Sequence, residues 1–356
     1  MRITSRCSEE IGTSFSFDKD RGVCQILNDS QNILAEIDTI INICDEYNIA
    51  DYDVKVLYNN REDCTEESIY QVKIQKNRIG WIFPIQAIHS IDHKEAENEH
   101  FLKYAYVAWQ YLLNSCEDEV DDFSQFDLFK KYPESANLLV LDKENCKKEN
   151  FEYENYVISL YDFGYSEVGE GNLYTPDKRP NVAINLKPIS SYIGDATYIN
   201  LLFKRQIPIE SNPVTRFYIY YQLIEILITK VFDDLFMDFV SKLRAGSENL
   251  FDQKEDLNEY SNEKYRLTRL CNDYSKIEDT SLINELKEKC IELLEHTNSK
   301  KIGDQMPESL YYVRCLLVHR MYVLDKDSEE TLKKIDDLFL ELCIKLLLTF
   351  RTLRND

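Results

Sequence analysis

The sequence predicts an α+β protein: an N-terminal mixed α/β domain over residues 1–205 and an all-helical bundle over residues 206–356. Three observations carry this. The chain has 356 residues, long for one compact core and comfortable for two. Short β-branched and aromatic runs alternate with helical patterns in the first half, whereas from Val214 the pattern is helical and stays so. Between the halves, Pro208 and Pro213 bracket a short polar stretch, which sets the boundary near residue 205.

In the first half, strands are predicted at Thr13–Phe17, Val54–Tyr58, Ile69–Ile74, Ile79–Ile85, Leu138–Leu141 and Tyr156–Tyr161. Two helices are expected between them. Asp29 and Ser30 can cap one that runs to Glu46, with Ile33, Ile37, Ile40, Ile41 and Cys44 on one face. The other spans Lys94 to Cys116 and is apolar enough to be buried, Trp109 included. From Gly164 to Ser191, Gly164, Gly169, Gly171, Pro176, Pro180 and Pro188 interrupt any period, so a loop or an irregular sheet edge is expected.

In the second half, Asn212 before Pro213 is a good helix start, because Pro fits the first turn without losing a bond. The helix from Val214 to Leu243 is apolar around much of its circumference and should lie centrally. A polar segment follows, then helices at Asn262–Tyr274 and Thr280–His296. Asp304 with Pro307 opens a helix reaching Leu324, and Asp327 and Ser328 cap a last one to Leu353.

Composition limits the function classes. Hydrophobic residues make up 44% and there are 24 tyrosines, so the chain has ample material for a core. Acidic residues outnumber basic ones 64 to 42, a net charge of -22. That disfavours broad attraction to nucleic acid or anionic membrane, so any RNA site must be local and basic. Ten cysteines occur without a CxxC pair, no signal core opens the chain, and no apolar run reaches membrane-spanning length. A cytoplasmic protein with free, mostly buried thiols is expected, with no membrane, metal or cofactor. Walker and Rossmann glycine patterns are absent, and Gly169–Asn172 reads as a turn. His89, His93 and His100 would share a face only in one continuous helix; a solvated helix start is the plainer expectation.

The chemistry concentrates in the segment Leu310–Tyr322, where Arg314 and His319 stand five residues apart in an apolar helix. A buried cation there needs a partner, a wet cleft or a ligand. Five residues turn a helix by about 140° and advance it by about 7.5 Å, so the two side chains are not stacked but can converge on one cleft.

This R-x4-H arrangement, with Leu310, Tyr311, Arg314, Val318 and His319 before a capped amphipathic last helix, resembles HEPN domains, a family of metal-independent ribonucleases. The long helix with Tyr220, Tyr221 and Glu225 resembles their opening helix. The resemblance covers residues 213–354. It implies RNA as substrate, a homodimer formed through the helical domain, and a site shared by both copies. Cleavage would use the 2′-hydroxyl as nucleophile and leave a 2′,3′-cyclic phosphate. His319 would move the proton and Arg314 would hold the phosphate, with Arg320, Glu225 and Tyr322 in support. Antiviral defence or toxin-like growth arrest follows by analogy, with the N-terminal domain binding a regulatory ligand or protein. The chain departs from the family pattern at Cys315, where a small polar residue is common. From the subgroup of HEPN toxins paired with a nucleotidyltransferase antitoxin it also departs at Met321, which holds the place of a tyrosine, and at Ser309 and Val313, where that subgroup has an acid and a lysine.

The bland alternative is a non-catalytic dimeric interaction or sensor protein. In it, Arg314 is a structural cation paired with Glu308 or an acid on another helix, and His319 is a satisfied core histidine.

Overall fold

The computed structural model describes residues 1–7, 10–42, 47–61, 63–169, 176, 178–246 and 250–353. The protein is α+β, and the chain divides into two compact units. One comprises Met1–Tyr153, Phe163–Gly169 and Asp177–Leu186; the other takes Glu154–Asp162 and the chain from Lys187 onward. The chain therefore passes between units more than once, instead of crossing a single boundary near residue 205.

The first unit is built on a five-stranded sheet. Its strands are β6 (Tyr52–Tyr58), β7 (Tyr70–Ile74), β8 (Asn77–Pro84), β10 (Ala136–Asp142) and β11 (Ala183–Leu186), ordered β11-β7-β8-β10-β6. Neighbours are antiparallel except β11, which joins β7 in parallel. β10 is an interior strand, pairing Leu139 with Ile82 on one side and with Lys55 on the other, and both of its faces are buried, which is why LLVL is apolar without alternation. Gly80 is required beside it, since a Cβ there would lie 2.3 Å from the Val140 carbonyl. Helix α1 (Glu99–Asn114), capped by Asn98, covers this sheet and buries Phe101, Tyr104 and Trp109.

Two smaller sheets complete the unit. β3 (Ser14–Asp18), β4 (Val23–Leu27) and β5 (Ile33–Asp38) form an antiparallel meander; β1 (Arg2–Ser5) lies between β2 (Ile11–Gly12) and β9 (Glu117–Val120). A short helix, α2 (Lys143–Lys148), follows β10.

The structure corrects several sequence expectations here. The helix expected from Asp29 is strand β5, because Asn28–Asn32 makes a tight turn with Gln31 at φ 63° that returns the chain alongside β4. Residues 43–46 of that expectation, Cys44 included, lie outside the described residues, as does Gly169–Asn172 beyond Gly169. The expected strand Tyr156–Tyr161 is a 3-10 turn leading into α3 (Val157–Asp162). α1 starts at Glu99 and not Lys94, and His93 is no solvated helix start. It is buried, with Nε2 donating to the Ala87 carbonyl at 2.8 Å while Nδ1 accepts from the Glu95 amide. His89 lies against the Phe129 ring.

The second unit contains α3, α4 (Thr197–Leu201, running on into a π-helical turn) and a bundle of six helices. These are α5 (Pro213–Ala245), α6 (Leu250–Ser261), α7 (Glu263–Asn272), α8 (Thr280–His296), α9 (Met306–Arg320) and α10 (Lys326–Thr349). Asn212 caps α5 through the Thr215 amide, and Gly246 at φ 64° ends it. Its 33 residues make a rod of about 50 Å against which α6, α7, α9 and α10 pack. Phe217, Tyr220 and Phe339 form the aromatic seam between α5 and α10. The polar segment after Leu243 proves to be helix α6 from Leu250. The cap of α10 is Asp325, whose carboxylate accepts from the Ser328 amide, in place of Asp327.

No helix among the described residues is long and apolar enough to cross a membrane. The described cysteines are free: Cys24, Cys116, Cys146, Cys290 and Cys343 are buried, and Cys7 is exposed.

Candidate functional site

Helix α9 carries the candidate residues. Its first three turns bury Leu310, Val313, Leu316 and Leu317 against α7 and α8. The helix then runs out of cover: Val318 and His319 are exposed, and a 3-10 turn, Met321–Val323, follows. His319 is therefore no core histidine.

His319 and Arg320 line a cleft of about 590 Å³ with Tyr311, Tyr312, Cys315 and Leu316 from α9, and with Asn298–Lys301 from the loop after α8. That loop is fixed where it leaves the helix. Thr297 ends α8, Asn298 takes φ 51°, and the Ser299 amide reaches back to the Leu294 carbonyl at 2.8 Å. Lys300 and Lys301 are thereby held at the cleft's edge, with the Lys301 ammonium 5.9 Å from the centre of the Tyr312 ring. Arg320 donates to the Thr297 carbonyl at 3.3 Å, at the end of α8 where the helix dipole favours a cation. Tyr311 and Tyr312 meet edge to face at 5.7 Å and give the cleft an aromatic wall. Burial, together with Cys315, pushes the Tyr311 phenol up, so it stays protonated at neutral pH.

Arg314 does not line this cleft. Its guanidinium lies over the Tyr221 ring at 5.7 Å and 3.8 Å from the Glu225 carboxylate, both on α5. The rotation between Arg314 and His319 takes them to different sides of α9. Partial burial opposes the arginine's charge, but Glu263, Tyr221, Cys315 and Glu225 outweigh it and raise its pKa. Tyr221 is held by donating to Glu263 at 2.8 Å. Glu308, the partner first considered for Arg314, instead pairs with Lys264 at 2.7 Å.

The five residues marked in the sequence thus separate three ways. His319 and Arg320 share the cleft, and Arg314 and Glu225 face each other across α9 and α5. Tyr322, 83% exposed, stands in solvent on the turn beyond. The sequence reading missed Lys300 and Lys301. Their signal was a pair of adjacent lysines in a polar interhelical loop of a strongly acidic chain.

The geometry offers one permanent cation fixed on a helix end, two on a loop, an accessible imidazole and an aromatic wall. Such a set can hold a phosphodiester and pass a proton to or from it. No group of three His, Cys, Asp or Glu suited to a metal ion occurs among the described residues.

Compared with protein-family models, curated proteins and solved structures, the chain matches none.

Proposed function

We propose that the helical unit is a metal-independent endoribonuclease of the HEPN type, acting through the cleft between α9 and the loop after α8. The observation that carries this reading is the gathering of His319, Arg320, Lys300 and Lys301 around one cleft in a chain of net charge -22. A local basic site is what an acidic protein needs to engage a phosphodiester. His319 takes the proton of the 2′-hydroxyl or returns one to the leaving oxygen, while Arg320 and the lysines hold the phosphate. Arg314 faces Glu225 within one chain, so its contribution to the phosphate requires a second copy paired through the helical unit. In a cell such an activity would serve antiviral defence or toxin-like growth arrest, restrained or triggered through the N-terminal unit.

The test is incubation of the purified protein with total RNA and tRNA in EDTA, with mapping of the product ends. Wild type should leave 2′,3′-cyclic phosphates, and His319→Ala should leave none. Equal cleavage by both would remove His319 from the chemistry and sink the proposal.

A second reading draws on the Arg314–Glu225 contact. An arginine already paired to an acid on a neighbouring helix suits a non-catalytic dimeric interaction or sensor protein. On that reading neither protein cleaves RNA, and Arg314→Ala lowers stability alone.

A further inference from the structure

The first unit holds a polar cluster of its own. Strand β6 ends at Tyr58, which forms an isolated antiparallel bridge with Ser166: the Tyr58 amide donates to the Ser166 carbonyl at 2.8 Å, and the return bond is 3.0 Å. Gly169 packs flat on the Tyr58 ring, where a Cβ would come within 2.5 Å. These contacts fix Tyr165 beside Asn59 and Arg61.

Among the described residues, three buried polar atoms in this neighbourhood have no hydrogen-bond partner: Asn59 Nδ2, Arg61 Nε and Tyr165 Oη. Asn59 and Tyr165 are almost fully buried. The Asn59 carbonyl oxygen already accepts from the Arg61 amide at 3.2 Å, so the side-chain NH2 is what remains on offer. Burial drives the Tyr165 phenol far up, helped by Cys64 and Tyr70, which keeps it a donor; Arg61 and a close approach of the Asn59 side chain, short of an aligned hydrogen bond, oppose the rise. All three orphans can donate, and one of them carries charge. Buried donors left without acceptors are costly, so an arrangement of three calls for an acceptor.

The outer side of the cluster is a triad. Arg61, only 7% exposed, has Nε 3.3 Å from Asp63, off the line of a hydrogen bond, while Nη1 donates to the Lys178 carbonyl at 2.6 Å. Asp63, 38% exposed, also takes Arg179 Nε at 3.2 Å, and Arg179 is 62% exposed. A solvent-facing carboxylate thus sits between two arginines, in poor geometry with the inner one.

We propose that this cluster is a binding site for a small oxyanion, a phosphoryl or carboxylate group, which displaces the Asp63 side chain from between Arg61 and Arg179. Arg61 supplies the charge-assisted bond from within, Asn59 and Tyr165 complete the donor set, and Arg179 closes the mouth. Asp63 is an internal competitor that occupies the site until the ligand arrives.

The test uses the full chain and reads the ligand-induced rise in melting temperature, which reports binding to the folded state. Inorganic phosphate and acetate are titrated separately against chloride at equal ionic strength, so that a preference for either identifies the kind of oxyanion. The wild type should respond to at least one. Asp63→Asn should respond at lower concentration, because the competitor is gone. Arg61→Gln should weaken binding roughly tenfold or more, in line with the loss of a charged hydrogen bond. Tyr165→Phe should fold at least as stably as wild type without ligand, since it deletes an unpaired hydroxyl, yet bind more weakly. A wild type that responds to neither anion beyond chloride would overturn the proposal, as would equal responses from wild type and Arg61→Gln; the donors then hold a structural water. A weaker response from Asp63→Asn would refute the competitor role.

Discussion

If the cleft beside α9 holds RNA through its fixed cations, its affinity must depend on salt in a way the structure sets. Three basic side chains line the cleft: Lys300, Lys301 and Arg320. Each phosphate contact on a single strand contributes about -0.7 to the slope of log K against log salt, so the wild-type slope should be about -2. Removing both lysines by Lys300→Ala/Lys301→Ala leaves Arg320 and a slope of about -0.7. Between roughly 50 and 200 mM salt, the wild type should lose about 20-fold in affinity and the double variant about threefold. The assay is fluorescence anisotropy with a labelled 2′-O-methyl single strand, which lacks the nucleophile and cannot be cut. The protein's overall negative charge adds no diffuse attraction to mask the local term. An unchanged slope in the double variant would show that the nucleic acid binds elsewhere.

Arg314→Ala should cost no more than about 1–2 kcal/mol in urea unfolding, since a 3.8 Å pair with half-exposed Glu225 and one aromatic contact add little. Its cleavage activity should nevertheless fall about a hundredfold or more if the guanidinium stabilises the transition state. The His296–Asp325 pair, 2.9 Å apart, raises the His296 pKa, with the hydrogen bond from Asp325 as the main cause. Its stabilisation is complete below the unfolded value of 6.5 and is lost as pH rises through the raised folded value, so melting temperature should decline just above 6.5 in wild type and stay flatter in His296→Gln. Asp325 itself is held below the usual carboxylate range by the Ser328 amide and His296; its share persists above the ordinary aspartate value and fades only in strong acid. Phe339→Ala, which empties a fully buried position against Phe217 and Tyr220, should cost about 3–5 kcal/mol by denaturant titration.

The helical half was legible because long helices announce themselves through several independent signals. Asn212–Pro213 marked the start of α5, and Thr280–His296 was read to the residue. The misreadings have physical causes. Ile33 and Ile37 are four apart, a spacing that serves a helix face but is also twice the strand repeat; only the turn at Gln31 decides for a strand. Val157–Tyr161 is buried on every side, so its helix shows no polar face and reads as a strand. Leu250–Ser261 forms a helix with little apolar content, where periodicity has nothing to count. In the site, Arg314 and His319 could be singled out by their apolar framing. Which of them reaches the cleft depends on where α9 leaves the bundle, which no local pattern encodes. Tyr165 lies too far in sequence from Asn59 and Arg61 to announce a cluster, and the bridge from Tyr58 to Ser166 brings it beside them.

The path of the chain through residues 154–162 decides how the molecule can be cut. The Tyr161 ring meets Phe203 at 5.4 Å, the Asn155 carbonyl accepts from the Ile189 amide at 2.7 Å, and α3 packs on α10. A fragment beginning at residue 206 would lack both α3 and Phe203, leaving a flank of α10 bare to water. Such a fragment should aggregate when expressed, even though every helix bearing Arg314 and His319 is present. A self-sufficient helical half must recover residues 154–162 from the middle of the chain, most simply by joining them through a short linker to the segment that starts at Lys187.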